Sequence, residues 1–153
     1  MKLEKTRSII EHFKEIILKI EKSDPNYFTF LNYVTEYIVV IFYAEIEGYV
    51  KTIIQDKLRS AGLSDEGVSF MEKNLRHNYN NQVQIIVEDF KGKTEKEKFE
   101  KLKHFQEFKN LIDMRHYIAH HRKAARSPKT WEEIQGIAEI GEDILKNLAH
   151  IIS

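Results

Sequence analysis

Ile9, Phe13, Ile16, Ile17 and Ile20 recur every three or four residues among lysines and glutamates, which keeps one stripe of a helix apolar and predicts a first helix over residues 4–22. Ser23, Asp24 and Pro25 then combine capping residues with a proline that fits only a first helical turn, so a second helix is expected from residue 25. It should run to residue 61, where Gly62 supplies a stop. Residues 37–50 of this helix are apolar on most faces, which places it at the centre of a bundle. Ser64 caps a shorter helix over residues 65–76, and the polar joint His77, Asn78, Asn80, Asn81 leads to another marked by Val83, Ile86, Val87 and Phe90. Both pieces are expected at the periphery. Thr94 with Glu97 has the spacing of a capping box and opens a long helix carrying Phe99, Leu102, Phe105, Phe108, Leu111, Ile112 and Ile118. Ser127 and Pro128 end any helix, and Thr130 with Glu133 repeats the capping-box spacing before a last amphipathic helix through Trp131, Ile134, Ile137, Ile144, Leu145, Leu148 and Ile151. The pattern predicts an all-α fold, an up-and-down bundle of about five or six helices forming one domain over residues 1–153.

Composition narrows the functional classes. The 24 basic and 24 acidic residues cancel, so any attraction to nucleic acid has to come from local clustering. With no cysteine there is neither a disulfide framework nor thiolate chemistry, which suits a cytoplasmic protein. The longest apolar run, residues 37–44, is far short of the roughly 20 residues that span a bilayer, and residues 1–5 are too charged to begin a secretion signal, so no membrane partner is expected. The one strongly biased stretch is residues 122–129, where Arg122, Lys123, Arg126 and Lys129 meet no acidic residue. It reads either as a solvated loop or as a contact for phosphates.

On a helical wheel the apolar stripe of the long fifth helix centres near Phe108, Ala119 and Arg115, so a permanent cation sits in the middle of an apolar face. A guanidinium in such a place needs a carboxylate, a subunit interface or a ligand anion. Glu47 is a candidate for the carboxylate. His116 and His120 lie four residues apart and project together, about 100° to 140° round from Arg115. A fixed cation beside titratable imidazoles suits cleavage of a ribose-phosphate backbone, in which the 2′-hydroxyl loses a proton, the 5′-oxygen gains one and the pentacoordinate phosphate needs its charge stabilised. No metal or other cofactor is required. A rival arrangement groups Asp113, His116 and His120 on one flank as ligands for a transition metal, although helical bundles that hold metals draw ligands from facing helices. His12, His77, His104 and His150 are scattered and read as solvated.

Arg115-His116-Tyr117-Ile118-Ala119-His120 resembles the R-x4-H motif of the HEPN superfamily, and Glu47-Gly48-Tyr49-Val50-Lys51 is similar to the E-x3-K pattern that some of its members carry on an early helix. The likeness in pattern covers roughly residues 29–152. It implies an all-α ribonuclease domain with the motif late on the penultimate long helix, working as a homodimer in which two motifs face across a two-fold axis. It also implies Arg115 and His120 as catalytic residues, with His116, His121, Glu47 and Lys51 as auxiliaries, Arg122, Lys123 and Arg126 as RNA-binding residues, and a role as a toxin or in phage defence, with an antitoxin or regulatory protein as a further partner. The motif histidine is His120 or His121, of which His120 lies nearer His116 on the wheel. Arg122 stands where toxins regulated by nucleotidyltransferase antitoxins carry a tyrosine, which speaks against that form of control. The alternative is a non-catalytic HEPN-like module that dimerises through the Arg115 face and binds a nucleotide or a partner protein.

Overall fold

The computed structural model describes residues 1–74, 82–120 and 130–153. Within them the chain forms eight helical segments and no strand: α1 (Glu4–Ile17), α2 (Tyr27–Ser60), α3 (Asp65–Asn74), α4 (Val83–Lys91), α5 (Lys93–Phe99), α6 (Phe105–Ala119), α7 (Trp131–Gln135) and α8 (Ile137–Ile152). The expected all-α bundle is therefore what the chain forms. The 34-residue α2 is its central strut, with α1, α3, α6 and α8 laid against it, while α8 also packs on α4, α5 and α7. Phe42 and Ile46 of α2, Phe108 and Ile112 of α6, and Ile144 and Leu148 of α8 are all buried in one core cluster. Such burial stabilises by roughly 25 cal/mol per Å² of apolar surface, which is why α2 can be apolar on so many sides. Among the described residues no helix is long and apolar enough to cross a membrane.

Several sequence expectations need correcting. First, α4 is not peripheral: Val83, Ile86 and Val87 are buried, and α4 packs on both α5 and α8. Second, α1 stops at Ile17, five residues short of the expected end, because the chain tightens into three-residue turns, with the N–H groups of Lys19 and Ile20 donating to Ile16 and Ile17, and leaves Leu18 exposed. Asp24 then forms an Asx turn, its carboxylate accepting from Asn26 N–H at 2.8 Å, and α2 begins at Tyr27, two residues later than expected, with Asn26 as its N-cap. Third, the long fifth helix is broken between Phe99 and Phe105. At about 100° per residue a continuous helix would turn these two rings roughly 120° apart, whereas the break seats both in the core, edge to face, with centroids 5.7 Å apart. The Thr94 capping box does not form either. Gly92, at φ +89°, redirects the chain and starts α5 at Lys93, which draws Thr94 inside the first turn.

Other local signals act as expected. Gly62 ends α2 at φ +90°, Ser64 Oγ accepts from Gly67 N–H at 3.2 Å at the start of α3, and Thr130 with Glu133 forms a complete capping box, although the expected single last helix is divided at Gly136 into α7 and α8. The start of α1 is held by carboxylates from elsewhere in the chain. Glu45 of α2 accepts from the N–H groups of Lys5 (2.9 Å) and Thr6 (2.7 Å) and from the Thr6 hydroxyl (2.6 Å). Glu142 of α8 accepts from Leu3 N–H (2.8 Å) and from the Arg7 guanidinium at 2.7 and 2.6 Å. The Arg7 hydrogen bond, then the Leu3 N–H, hold the Glu142 carboxyl below its ordinary range against the opposing effect of burial. Beside this clamp Gly141 lets α8 approach α2 closely: a Cβ there would lie 2.5 Å from Phe42 Cε2 and 2.7 Å from Leu3 Cδ1.

Candidate functional site

α6 carries the candidate chemistry, and its inner face fixes its orientation. Phe105, Phe108, Leu111, Ile112 and Met114 are buried, and Phe108 meets Phe42 of α2 edge to face at 6.1 Å. The stripe emerges toward the C-terminal end of the helix: Ala119, expected at its centre, is exposed, and Arg115 is half-buried. His120 caps the helix with backbone angles of φ −103° and ψ 13°, its N–H shared at 3.2 Å between the carbonyls of His116 and Tyr117. That shared bond keeps His120 on the last turn, directly over His116. Their rings lie 4.5 Å apart between centroids at 62°, and both side chains are exposed. The two imidazoles expected to project together do so.

Arg115 lies across the ring of Tyr43 on α2, its guanidinium carbon 4.7 Å from the ring centroid. A cation over an aromatic face gains about 0.5 to 2 kcal/mol, depending on desolvation, and its planar edges stay free to donate hydrogen bonds. Among the described residues Arg115 makes no salt bridge, so the ion pair with Glu47 is not formed. Glu47 and Lys51 are both exposed on α2 and form no ion pair with each other. No hydrogen bond or ring contact links Arg115 to either imidazole; the three side chains share the end of one helix without touching as a triad. Asp113 is exposed on α6, and among the described residues no group of three or more His, Asp or Glu side chains converges as metal ligands. His121, Arg122, Lys123 and Arg126 lie outside the described residues.

One feature escaped the sequence reading. His104, expected in solvent, is paired through Nδ1 with Glu107 at 3.2 Å and lines a groove of about 530 Å³ between α6 and the α7–α8 corner. Glu107, Glu133 and Glu139 outnumber Lys103 around an apolar floor of Leu111, Ile137 and Ile140, so the groove is net acidic, which disfavours a phosphate chain. It lies on the opposite flank of α6 from His116. The His-x-x-Glu spacing at residues 104–107 was the available signal, since residues three apart meet on a helix surface.

Arg115, His116 and His120 thus offer an anion clamp and two exposed proton-transfer groups at one end of the bundle. Comparison with protein-family models, curated proteins and solved structures finds no match for this chain.

Proposed function

We propose that the protein is a metal-independent endoribonuclease of the HEPN type that cleaves single-stranded or looped RNA by attack of the 2′-hydroxyl on the adjacent phosphorus. The observation that carries this reading is the half-buried Arg115, held over Tyr43 with no carboxylate partner among the described residues, on the same helix end as the exposed His116–His120 pair. A guanidinium so placed is paired by an incoming anion rather than by its own chain, and its fork matches two phosphate oxygens. His120 moves the proton. As the 2′-oxygen bonds to phosphorus, the bond to the 5′-oxygen breaks, leaving a 2′,3′-cyclic phosphate and a free 5′-hydroxyl. His116, ring against ring with His120, orients it. Arg122, Lys123 and Arg126 follow His120 in sequence and supply backbone contacts, and Glu47 and Lys51 are auxiliaries at the margin of the site. The working form is a homodimer in the cytoplasm, acting as a toxin or in phage defence and answering to an antitoxin or other regulatory protein.

The test is incubation of purified protein with mixed RNA in the presence of a chelator. Wild type should leave cyclic phosphate ends, and Arg115→Ala and His120→Ala should each lower the rate by at least a hundredfold while keeping the helical circular dichroism of wild type. Undiminished cleavage by both variants, or dependence on a divalent ion, refutes the assignment.

A further inference from the structure

α2 leaves one face largely open beside α1, where Tyr37 meets Phe13 edge to face at 6.1 Å and still shows about half its surface, and that face is complementary to itself. Tyr33, Tyr37 and Val40 are 67, 49 and 43% exposed, and at about 100° per residue they align with the exposed Ala44 and Gly48. The bulky residues occupy one half of the stripe and the small ones the other. Beside the small half runs a shallow groove of about 440 Å³ floored by Ile41, Ala44, Gly48 and Thr52 and edged by Lys5, Glu45 and Tyr49, and a Cβ at Gly48 would meet no atom within 4 Å.

We propose that two copies of the chain pack through this face, α2 against α2 and antiparallel, about a two-fold axis passing between Val40 and Ile41. In that register Tyr37 of each copy sits on Ala44 of the other, and Tyr33 on Gly48, so each aromatic knob enters the groove on the second copy. Two tyrosines from each copy, with the groove surface that receives them, remove about 1,000 Å² in total, at the low end of specific interfaces. Charge favours the same register. Tyr43, which carries Arg115, and Glu36 lie on the same flank of α2, and the two-fold axis brings Glu36 of the second copy to within about two residues, or roughly 3 Å along the helix, of Tyr43. Glu36 is exposed and forms no salt bridge in its own chain among the described residues. A direction parallel to the two-fold axis is unchanged by it, so both Arg115 side chains fall on the same side of the dimer, each with one edge reachable by the partner carboxylate and the other open. The contribution to catalysis rests on the ribonuclease reading; the interface does not.

The experiment uses the full chain, which has no native cysteine. Light scattering across about 1 to 100 µM should show wild type reaching the dimer mass. Tyr37→Glu and Gly48→Leu should each raise the dissociation constant at least tenfold, and Glu36→Arg should weaken the dimer until paired with Arg115→Glu. Under oxidation Val40→Cys should cross-link two copies, whereas Thr52→Cys, about 17 Å along α2 from the axis in each copy, should not. Wild type that stays monomeric, or cross-linking of Thr52→Cys equal to that of Val40→Cys, overturns the proposal. So does a Tyr37→Glu variant that keeps its mass but loses binding to a 12-nucleotide oligouridine, since the face then belongs to RNA. RNA cleavage by a strict monomer sinks the interface and spares the nuclease, whereas a dimer in this register that cleaves no RNA does the reverse.

Discussion

Replacing Gly141 with alanine should destabilise the bundle, although alanine is the better helix former. The added Cβ meets Phe42 Cε2 at 2.5 Å, Leu3 Cδ1 at 2.7 Å and Ile46 Cδ1 at 3.0 Å, and all three side chains have no exposed surface through which to retreat. Carbon atoms settle at about 3.5 to 4.0 Å, so α8 or the Phe42 ring has to shift by about 1 Å. Overpacking of this kind costs about 1 to 3 kcal/mol, against about 1 kcal/mol gained by removing a helical glycine, which leaves a net loss of up to about 2 kcal/mol. Urea denaturation should show a lower midpoint at unchanged slope. Gly67→Ala in α3 is the control. Its nearest neighbour, Leu63 Cβ, would lie at an ordinary 3.5 Å, so that variant should gain about 0.5 to 1 kcal/mol. If both variants were stabilised alike, the tight approach of α8 to α2 would be disproved.

Three further outcomes are expected. Glu142, whose carboxyl the Arg7 hydrogen bond holds below its unfolded value, contributes stability in full above that unfolded value and loses it as pH falls through the lowered folded value; Glu142→Gln should therefore be about 1 kcal/mol less stable at pH 7, Arg7 being partly exposed, with the gap closing in acid melts. Glu45→Gln leaves a side-chain amide facing the Thr6 N–H and hydroxyl, and hydrogen exchange at Thr6 should quicken by about fivefold, equivalent to about 1 kcal/mol of lost capping. Tyr43→Leu removes the aromatic face beneath Arg115 and should lower RNA-cleavage kcat/KM about fivefold, for about 1 kcal/mol of cation–π contact, whereas Tyr43→Phe keeps the face and should lose less.

Much of the architecture was legible because it follows from periodicity and capping chemistry. The apolar girth of α2, the Gly62 stop and the Thr130–Glu133 box are local facts that tertiary structure left alone. The break after Phe99 was not legible, since residues 100–104 contain no proline or glycine. It exists to bring Phe99 and Phe105 into one core, a tertiary demand that no local propensity records. The Thr94 box failed for a related reason, with Gly92 turning the chain two residues too early. At the site, helical spacing sufficed to bring His116 beside His120, because both ride one helix. The partner of Arg115 was harder to read. Tyr43 lies 72 positions upstream, and the wheel that singled out Arg115 has nothing to say about which ring of another helix comes to lie beneath it.

The interruption between α5 and α6 also separates two kinds of evolutionary freedom. Because α6 begins afresh at Phe105 and takes its bearing from α2 and α8, a change of pitch or length in α5 has no rigid rod through which to reach the imidazoles. That freedom is confined to the outward-facing positions of α4 and α5, since Val83, Ile86, Val87 and Phe99 are buried and both helices pack on α8. Grafts intended to alter binding behaviour belong at those outward positions, because a change that tilts α8 also moves the surface on which α6 rests.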